Sequence, residues 1–302
     1  MKKKIAIIGS GPAGYAAAIY TGRADIETLI FAGQEPGGQL MKTTEVENFP
    51  GTVEGTTGPQ LMSQMQKQAT RFGGKLIFET VLSIRFRTVG CFEIETESNK
   101  YQFDAVILAM GASSRMLGIG EEKYWGKGLS TCAVCDGAFY RGKIAYVVGG
   151  GDSAIEDATA LTKFASETHL LVRGEALRAS KAMQKRLESS KIAVHYNTSI
   201  KEIVGEEKIE GLTLNNGETV KTDGLFLAIG HIPATKFLVE SGVKLDSEGY
   251  VKIGGDVPTM TNVAGVFAAG DCVDRRYRQA VVASGMGVMA ALDAEKWLER
   301  GK

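Results

Sequence analysis

The sequence has little proline, few cysteines, no excess of charge and no long apolar run. Six prolines beside 38 glycines exclude the Pro/Gly-rich composition of a disordered chain. Four cysteines in 302 residues do not make the disulfide scaffold of a small secreted domain. The 35 basic and 35 acidic residues cancel, which argues against a nucleic-acid partner or a membrane partner. No apolar stretch is long enough to cross a bilayer.

The basic start followed by Ile5-Ala-Ile-Ile8 superficially resembles a signal peptide. The apolar stretch ends at Gly9, which is too early for the hydrophobic part of such a peptide, so a first β-strand is the better interpretation. Without an export signal we expect a cytoplasmic protein. In that reducing compartment a C-x-x-C pair is more often catalytic or metal-binding than structural.

A strand, a glycine turn and a helix open the chain. Strand Lys4–Ile8 leads into Gly9-Ser-Gly-Pro-Ala-Gly14, a helix from Tyr15 to Gly22 follows, and a second strand covers Glu27–Phe31. The G-x-G-x-x-G pattern in this setting is typical of dinucleotide binding, because its glycines allow a tight turn and a close approach to the pyrophosphate. The acidic residue that usually holds the ribose is absent after the second strand. The alternative is a glycine turn in an unrelated α/β fold.

A second copy of this pattern lies in mid-chain. Strand Lys143–Val148 precedes Gly149-Gly-Gly-Asp-Ser-Ala154, and a helix from Ile155 to Phe164 and a strand from Thr168 to Val172 follow. Two such units predict two dinucleotides, most simply FAD and a nicotinamide. Near the C-terminus, the strand that ends in Gly270-Asp271 and the helix from Ala280 to Leu298 return to the first domain.

These units predict an α/β fold with two Rossmann-like dinucleotide-binding domains, the nicotinamide domain inserted into the FAD domain. We expect the FAD-binding domain to comprise residues 1–114 and 245–302. The NAD(P)-binding domain, which carries the C-x-x-C, should comprise residues 115–244.

Cys132-Ala-Val-Cys135-Asp136 is the predicted redox centre. Two cysteines at this spacing can close a small disulfide ring, and Asp136 could exchange a proton as the ring opens and closes. One alternative is a zinc site, which needs about two more ligands. Another is a pair of buried, inert thiols. The remaining cysteines, Cys91 and Cys272, are interpreted as structural.

The position of the dithiol close before the second turn places it on the nicotinamide domain. It must reach the flavin to be reduced and face solvent to reduce a protein, while the nicotinamide must also reach the flavin. We therefore hypothesise that this domain swings between two orientations.

Six segments in this order resemble the low-molecular-weight thioredoxin reductases over nearly the whole chain. They are Gly9–Gly14, Gly37-Gly-Gln-Leu40, Val46-Glu-Asn-Phe-Pro-Gly51, Cys132-Ala-Val-Cys-Asp-Gly137, Gly149–Ala154, and Ala269-Gly-Asp271 with Arg278-Gln-Ala280. The resemblance implies a homodimer that reduces a thioredoxin-like small redox protein with FAD and NADPH or NADH. It also implies that Cys135 interacts with the flavin, that Cys132 attacks the partner's disulfide and that Asp136 is the acid/base.

The resemblance also assigns the cofactor sites. For FAD it implies Gly9, Gly11, Pro12, Ala13, Gly14, Gly38, Gln39, Leu40, Asn48, Gly111, Gly270, Asp271, Arg278, Gln279 and Ala280. For NAD(P) it implies Gly149, Gly151, Asp152, Ser153, Ala154, Arg173 and Arg178.

One segment departs from the family pattern. NADPH-using members read His-Arg-Arg-x-x-x-Arg after the second fingerprint, whereas this chain has Val172-Arg-Gly-Glu-Ala-Leu-Arg178. Loss of one arginine weakens the preference for a 2′-phosphate. Glu175 lies roughly 20 residues after the turn, where an acidic residue favours a 2′-hydroxyl, so NADH becomes a serious candidate. Arg173 and Arg178 could alternatively be a solvated surface pair.

Three other functions stay open. A ferredoxin could replace the nicotinamide as donor, although the intact second turn argues against this. The chain could be the reductase part of a peroxide-reducing system, although such a reductase usually carries an extra N-terminal redox domain. It could also be a non-catalytic flavin-based redox sensor.

Overall fold

The computed structural model describes residues 2–88 and 90–300, which form two compact units. Unit 1 contains the chain up to Ser113 and again from Ile232 onward, and unit 2 contains Ser114–His231. The second crossing thus lies earlier than the 244/245 boundary expected from the sequence. The physical reason is that Leu238 is fully buried in an apolar cluster of unit 1.

The strands and helices follow in chain order. They are β1 (Lys4–Ile8), α1 (Pro12–Arg23), β2 (Glu27–Phe31), α2 (Gly58–Arg71), β3 (Lys75–Ile77), β4 (Val81–Thr88), β5 (Cys91–Thr96), β6 (Lys100–Phe103), β7 (Ala105–Leu108), β8 (Ala112–Ser114), β9 (Leu129–Ser130), α3 (Ala133–Asp136), β10 (Ile144–Val148), α4 (Asp152–Leu161), β11 (Glu167–Leu171), α5 (Lys181–Glu188), β12 (Ala193–His195), β13 (Ile200–Val204), β14 (Gly211–Leu214), β15 (Thr219–Lys221), β16 (Gly224–Leu227), β17 (His231–Pro233), β18 (Val266–Ala268) and α6 (Ala280–Glu299). Short 3-10 helices cover Gly38–Lys42, Glu121–Tyr124, Gly137–Tyr140, Lys236–Leu238 and Gly270–Cys272.

A parallel sheet in the order β18-β7-β1-β2-β3 forms the centre of unit 1. Its middle strands are apolar on both faces, as parallel strands covered on both sides must be. The helices α1 and α6 pack closely because Gly287 has no side chain; a Cβ there would lie 2.1 Å from the Ala13 carbonyl oxygen. An antiparallel sheet, β4-β5-β6, completes the unit.

Unit 2 repeats this plan with a parallel sheet in the order β12-β11-β10-β16-β9 and an antiparallel sheet β13-β14-β15. The apolar side of α4 packs into the core, with Ile155, Ala158 and Leu161 fully buried. These two sheets confirm the predicted α/β fold. The antiparallel sheets were not predicted from the sequence.

The two crossings between the units run side by side, because β8 pairs with β17. On the unit 2 side, Ser114 Oγ lies 3.2 Å from His231 Nε2. Throughout the described part of the chain, none of the helices combines the length and apolarity needed to cross a membrane.

Candidate functional site

The first glycine turn links β1 to α1 in unit 1. Gly9 has a φ of 110°, and a Cβ there would lie 2.2 Å from the Ala109 carbonyl oxygen. A Cβ on Gly14 would lie 2.0 Å from the Gly9 carbonyl oxygen. Gly11, in contrast, faces open space at the N-terminus of α1. The outer glycines are therefore needed for packing, and the middle one leaves room for a phosphate at the positive end of a helix.

Two other segments of unit 1 reach this turn. The Gly37 N–H donates to Ser10 Oγ at 3.0 Å, and the neighbouring Gly38 lies against Gly11. A Cβ on Gly270 would lie 2.9 Å from the Ala13 side chain, so the end of β18 lies beside the first turn of α1. Gln39 and Leu40 continue from Gly38 in the same short 3-10 helix. These segments are distant in sequence but adjacent in the fold.

Asp271 is the acidic group of this region. The pKa of Asp271 is raised to about 6, chiefly by burial and also by the nearby Asp274, while Arg278 partly opposes the shift. Cys272 is fully buried, and burial raises the pKa of its thiol to about 12, so it is an inert thiol as the sequence suggested. The backbone of Gly111 contacts this thiol, which places Gly111 beside the end of β18.

The segment before α6 is fixed by Asp274. Its carboxylate accepts the backbone N–H groups of Arg276 and Tyr277 at 2.8 and 3.0 Å and that of Arg278 at 2.9 Å. These bonds hold Arg278 at a φ of 46°, a conformation uncommon for a residue with a side chain. Gln279 follows and caps α6 with extended backbone, and Ala280 is its first residue. Sequence reasoning missed the role of Asp274, since an aspartate in a loop carries no distinctive pattern.

Unit 1 therefore fits a flavin dinucleotide. The open face of Gly11 would receive the pyrophosphate, and the buried Ser284 hydroxyl of α6 has no hydrogen-bond partner among the described residues. The space beside Gly11, at the N-terminus of α1, is a feature that a bound phosphate would complete. Glu79, which follows the neighbouring β3, does not replace the ribose-binding acid expected after β2, because its carboxylate already accepts hydrogen bonds from Thr96 and Asn99.

The second glycine turn links β10 to α4 in unit 2 with the same division of roles. A Cβ on Gly149 would lie 2.5 Å from the Ala228 carbonyl oxygen, while Gly151 faces open space at the start of α4. Ser153 is exposed in the first turn of α4 and Ala154 is fully buried. A second dinucleotide fits here by the same argument.

The loop after β11 is tied directly to this turn. The N–H groups of Arg178 and Ala179 donate to the Gly150 carbonyl oxygen at 2.7 and 3.0 Å. The Ser180 N–H donates to Asp152 Oδ1 at 2.6 Å. The loop after β11 is thus bound to the second turn. Arg173, Glu175 and Arg178, which we expected from the sequence to face the ribose substituent, are exposed in this loop, as is Gly174.

Cys132 and Cys135 form a disulfide in unit 2, with Cα atoms 5.3 Å apart. Cys132 is the N-cap of the one-turn helix α3, and its carbonyl oxygen accepts the Cys135 and Asp136 N–H groups at 3.2 and 3.1 Å. Asp157 of α4 holds this turn in place, because its carboxylate accepts the Ala133 N–H at 3.2 Å. Val134, between the cysteines, is 72% exposed, so the redox turn is at the surface of unit 2.

Asp136 follows Cys135 directly and is the last residue of α3. Burial raises the pKa of its carboxyl, and a hydrogen bond from Ser130 opposes this shift. The Ser130 hydroxyl donates to Asp136 Oδ2 at 2.5 Å. A carboxyl group whose pKa is moved toward neutrality is suited to proton exchange with a thiol. Sequence reasoning found Asp136 but missed Ser130 and Asp157, since neither belongs to a recognisable motif.

No cluster of three or more His, Cys, Asp or Glu side chains within residues 2–88 and 90–300 could hold a metal ion. The residues predicted for FAD all lie in unit 1, whereas those predicted for NAD(P) and the redox turn all lie in unit 2.

Comparison with known proteins gives a consistent result. A family model described as pyridine nucleotide-disulphide oxidoreductase matches residues 3–287. The thioredoxin reductase of Mycolicibacterium smegmatis is 51% identical over 302 residues, which are 97% of this chain and 96% of the relative. Thioredoxin reductase 1 of Saccharomyces cerevisiae is 48% identical and covers 98% of each chain. The solved thioredoxin reductase of Giardia duodenalis superposes with a TM-score of 0.92 at 43% identity, covering 99% of this chain and 100% of that one.

This family uses a flavin and a nicotinamide, for which the two glycine turns supply suitable sites. The disulfide at Cys132 and Cys135, the two turns and the full-length similarity agree with the resemblance inferred from the motifs. The chain belongs to the thioredoxin reductases of the pyridine nucleotide-disulphide oxidoreductase family.

Proposed function

We propose that this protein passes two electrons from NAD(P)H through FAD to the Cys132–Cys135 disulfide, and from there to the disulfide of a thioredoxin-like protein. FAD binds to unit 1 and the nicotinamide to unit 2. The observation that carries the proposal is the Cys132–Cys135 disulfide followed directly by Asp136, whose carboxyl has a pKa raised by burial. A flavin bound in unit 1 would accept a hydride equivalent from the nicotinamide and deliver two electrons to the disulfide.

The protein's own residues then carry out thiol–disulfide exchange. Reduction of the disulfide takes up two electrons and two protons and yields two thiols. The Cys132 thiolate attacks a sulfur of the partner's disulfide and forms a mixed disulfide. Cys135 attacks Cys132, which releases the partner as a dithiol and restores the starting disulfide. Asp136 donates a proton as the dithiol forms, accepts one when a cysteine thiol becomes the attacking thiolate, and returns it to the departing thiolate of the partner.

The nicotinamide preference follows from the loop that is bound to the second turn. Arg173 and Arg178 are exposed and can pair with a 2′-phosphate, but Gly174 supplies no third guanidinium. Glu175 in the same exposed loop would repel that phosphate and accept a ribose hydroxyl. We infer that NADH is used at a rate comparable to NADPH.

The protein acts as a homodimer in this proposal. One face of α6 exposes Val281, Met289 and Leu292 to solvent, each by 40% or more. Exposed apolar side chains at helical spacing favour association with a second copy of the chain. Sedimentation equilibrium should give twice the 32.3 kDa chain mass; a monomer at micromolar concentration would contradict this part of the proposal.

Steady-state kinetics with purified protein, both nicotinamides and a thioredoxin test the central proposal. We expect a yellow protein that reduces the thioredoxin disulfide with either nicotinamide. A redox sensor would take up flavin without turning over, and a ferredoxin-dependent enzyme would turn over with reduced ferredoxin alone. Either result would overturn the proposal.

A further inference from the structure

Ser130 is hydrogen-bonded to both Cys132 and Asp136 of the redox turn. It ends β9 and is only 2% exposed. Its Oγ donates to Asp136 Oδ2 at 2.5 Å and accepts the Cys132 N–H at 3.1 Å. The Cys132 carbonyl oxygen is a second possible acceptor, 3.4 Å from the same Oγ.

A hydroxyl has one hydrogen, so Ser130 can donate to only one of these two acceptors at a time. An ionised carboxylate only accepts, and Ser130 then donates to Asp136. A protonated carboxyl has a hydrogen of its own to donate to Ser130 Oγ. In that state the serine hydrogen turns to the Cys132 carbonyl oxygen. Both protonation states of Asp136 therefore keep the Ser130 hydroxyl fully hydrogen-bonded, which the near-complete burial of Ser130 requires.

We infer that Ser130 is a positioning residue for Asp136, and that its hydroxyl reverses its hydrogen bond as Asp136 gains and loses a proton. Because Ser130 also accepts the Cys132 N–H, the reversal links the protonation of Asp136 to the backbone of the redox turn. The inference rests on the proposed acid/base role of Asp136, and it adds the residue that keeps the carboxyl oriented in both states.

Other charged and titratable groups face this cluster from the elements packed against α3. Asp157 of α4 accepts the Ala133 N–H. Tyr140 has a pKa raised by burial and also by Asp136 and Asp223, and the Lys143 ammonium lies 5.6 Å from the centre of its ring. Substitution of Ser130 leaves all of them in place, so their influence is common to the variants compared.

The direct test is the titration of the Asp136 carboxyl in the oxidised holoenzyme, followed by NMR with ¹³Cγ-labelled aspartate and assigned with Asp136→Asn. Ser130→Ala removes a bond that favours the ionised form and should raise the midpoint by about one pH unit. Ser130→Thr keeps the hydroxyl and should stay close to wild type. Ser166→Ala, an exposed serine of unit 2, is the matched control. An unchanged or lowered midpoint in Ser130→Ala would overturn the inference.

A measurement on wild-type protein covers the case in which Ser130→Ala does not fold. The Cys132 amide should shift with the same midpoint as the Asp136 carboxyl, since its acceptor changes partner; an amide that does not follow that midpoint contradicts the inference. The pH profile of thioredoxin reduction by Asp136→Asn separates the two ideas. A wild-type profile would refute the acid/base role of Asp136, while the carboxyl titration still decides the role of Ser130.

Discussion

Asn48 Nδ2 donates a hydrogen bond to Gln279 Oε1 across 3.2 Å and so joins two distant segments of unit 1. One segment follows the short 3-10 helix that contacts the first glycine turn. The other is the cap of α6, whose preceding residue is held in an uncommon conformation by Asp274. The bond fixes both segments at the place where the family resemblance puts the flavin.

Asn48→Ala should weaken flavin binding. Loss of one exposed hydrogen bond corresponds to an FAD dissociation constant about two- to tenfold higher. Titration of flavin-free protein by fluorescence quenching measures the effect. Glu47→Ala, at the exposed neighbouring position, should bind FAD as wild type does. Equal affinity in the two variants would show that the bond has no part in holding the cofactor.

Cys135→Ser should abolish reduction of a thioredoxin disulfide, by at least about a hundredfold, and leave flavin reduction by the nicotinamide intact. The reason is that a single thiol cannot resolve a mixed disulfide. Stopped-flow absorbance of the flavin and a thioredoxin assay measure the two steps separately. Cys91→Ser changes a half-buried free thiol and serves as the control. Retained thioredoxin reduction in Cys135→Ser would exclude the proposed route.

The pKa of Asp271 gives the flavin-free protein a pH-dependent stability. Burial raises this pKa from 3.8 to about 6. The folded state favours the protonated Asp271 carboxyl. Its contribution to the free energy of unfolding is therefore fully present below about pH 4 and is lost as the pH rises through about 6. At pH 8, Asp271→Asn should be more stable than wild type by about 1–3 kcal/mol, and at pH 4 the difference should vanish. Denaturant unfolding at both values checks this, with the exposed Asp256→Asn as control.

Asp152→Ala should weaken nicotinamide binding without altering the redox turn. The Ser180 N–H loses its acceptor, and the loop that carries Arg173 and Arg178 is then less firmly bound to the second turn. We expect dissociation constants for ADP-ribose and its 2′-phosphate about five- to tenfold higher by calorimetry. Glu156→Ala on the exposed side of the same helix should have no effect. A wild-type affinity in Asp152→Ala would contradict a role for this bond.

Gly174→Arg should shift the preference toward NADPH. Gly174 has no left-handed backbone, and the nearest atom to an added Cβ is the Ala176 carbonyl oxygen at 3.9 Å, so an arginine fits. A third guanidinium should lower the KM for NADPH about tenfold and leave that for NADH little changed. Gly174→Gln, of similar length and without charge, is the control. An equal effect of both substitutions would show that the loop does not read the 2′-phosphate.

The sequence predicted those parts of the fold that depend on local pattern. Both glycine turns lie between a strand and a helix as expected, because close backbone approach at Gly9 and Gly149 leaves no room for a side chain. The helices begin earlier than expected: α1 starts at Pro12 rather than Tyr15 and α4 at Asp152 rather than Ile155. The last residues of each glycine motif form the first turn of the helix. Apolar periodicity does not reveal this first turn, because it contains few large apolar residues.

Features that depend on tertiary contacts were not predictable. The boundary of unit 2 follows from the burial of Leu238 in unit 1, which no composition change marks. Ser130 is hydrogen-bonded to two residues close to it in sequence, Cys132 and Asp136. Its proposed positioning role depends on the burial of the Asp136 carboxyl, which the sequence does not show. Phe226 and Phe267 are fully buried, whereas Phe72 is only half-buried, with the Arg23 and Arg71 guanidinium groups over its ring.

The paired crossings of β8 and β17 mean that the chain leaves unit 1 and returns to it at one place. Ser113 Oγ donates to the Ile232 carbonyl oxygen at 3.5 Å, so a gene that lacked the codons between them would need only a tight turn to close the gap. Such an architecture allows one module to be gained, exchanged or deleted in evolution without threading a loop through the other, and it makes 114–231 a natural fragment for separate expression.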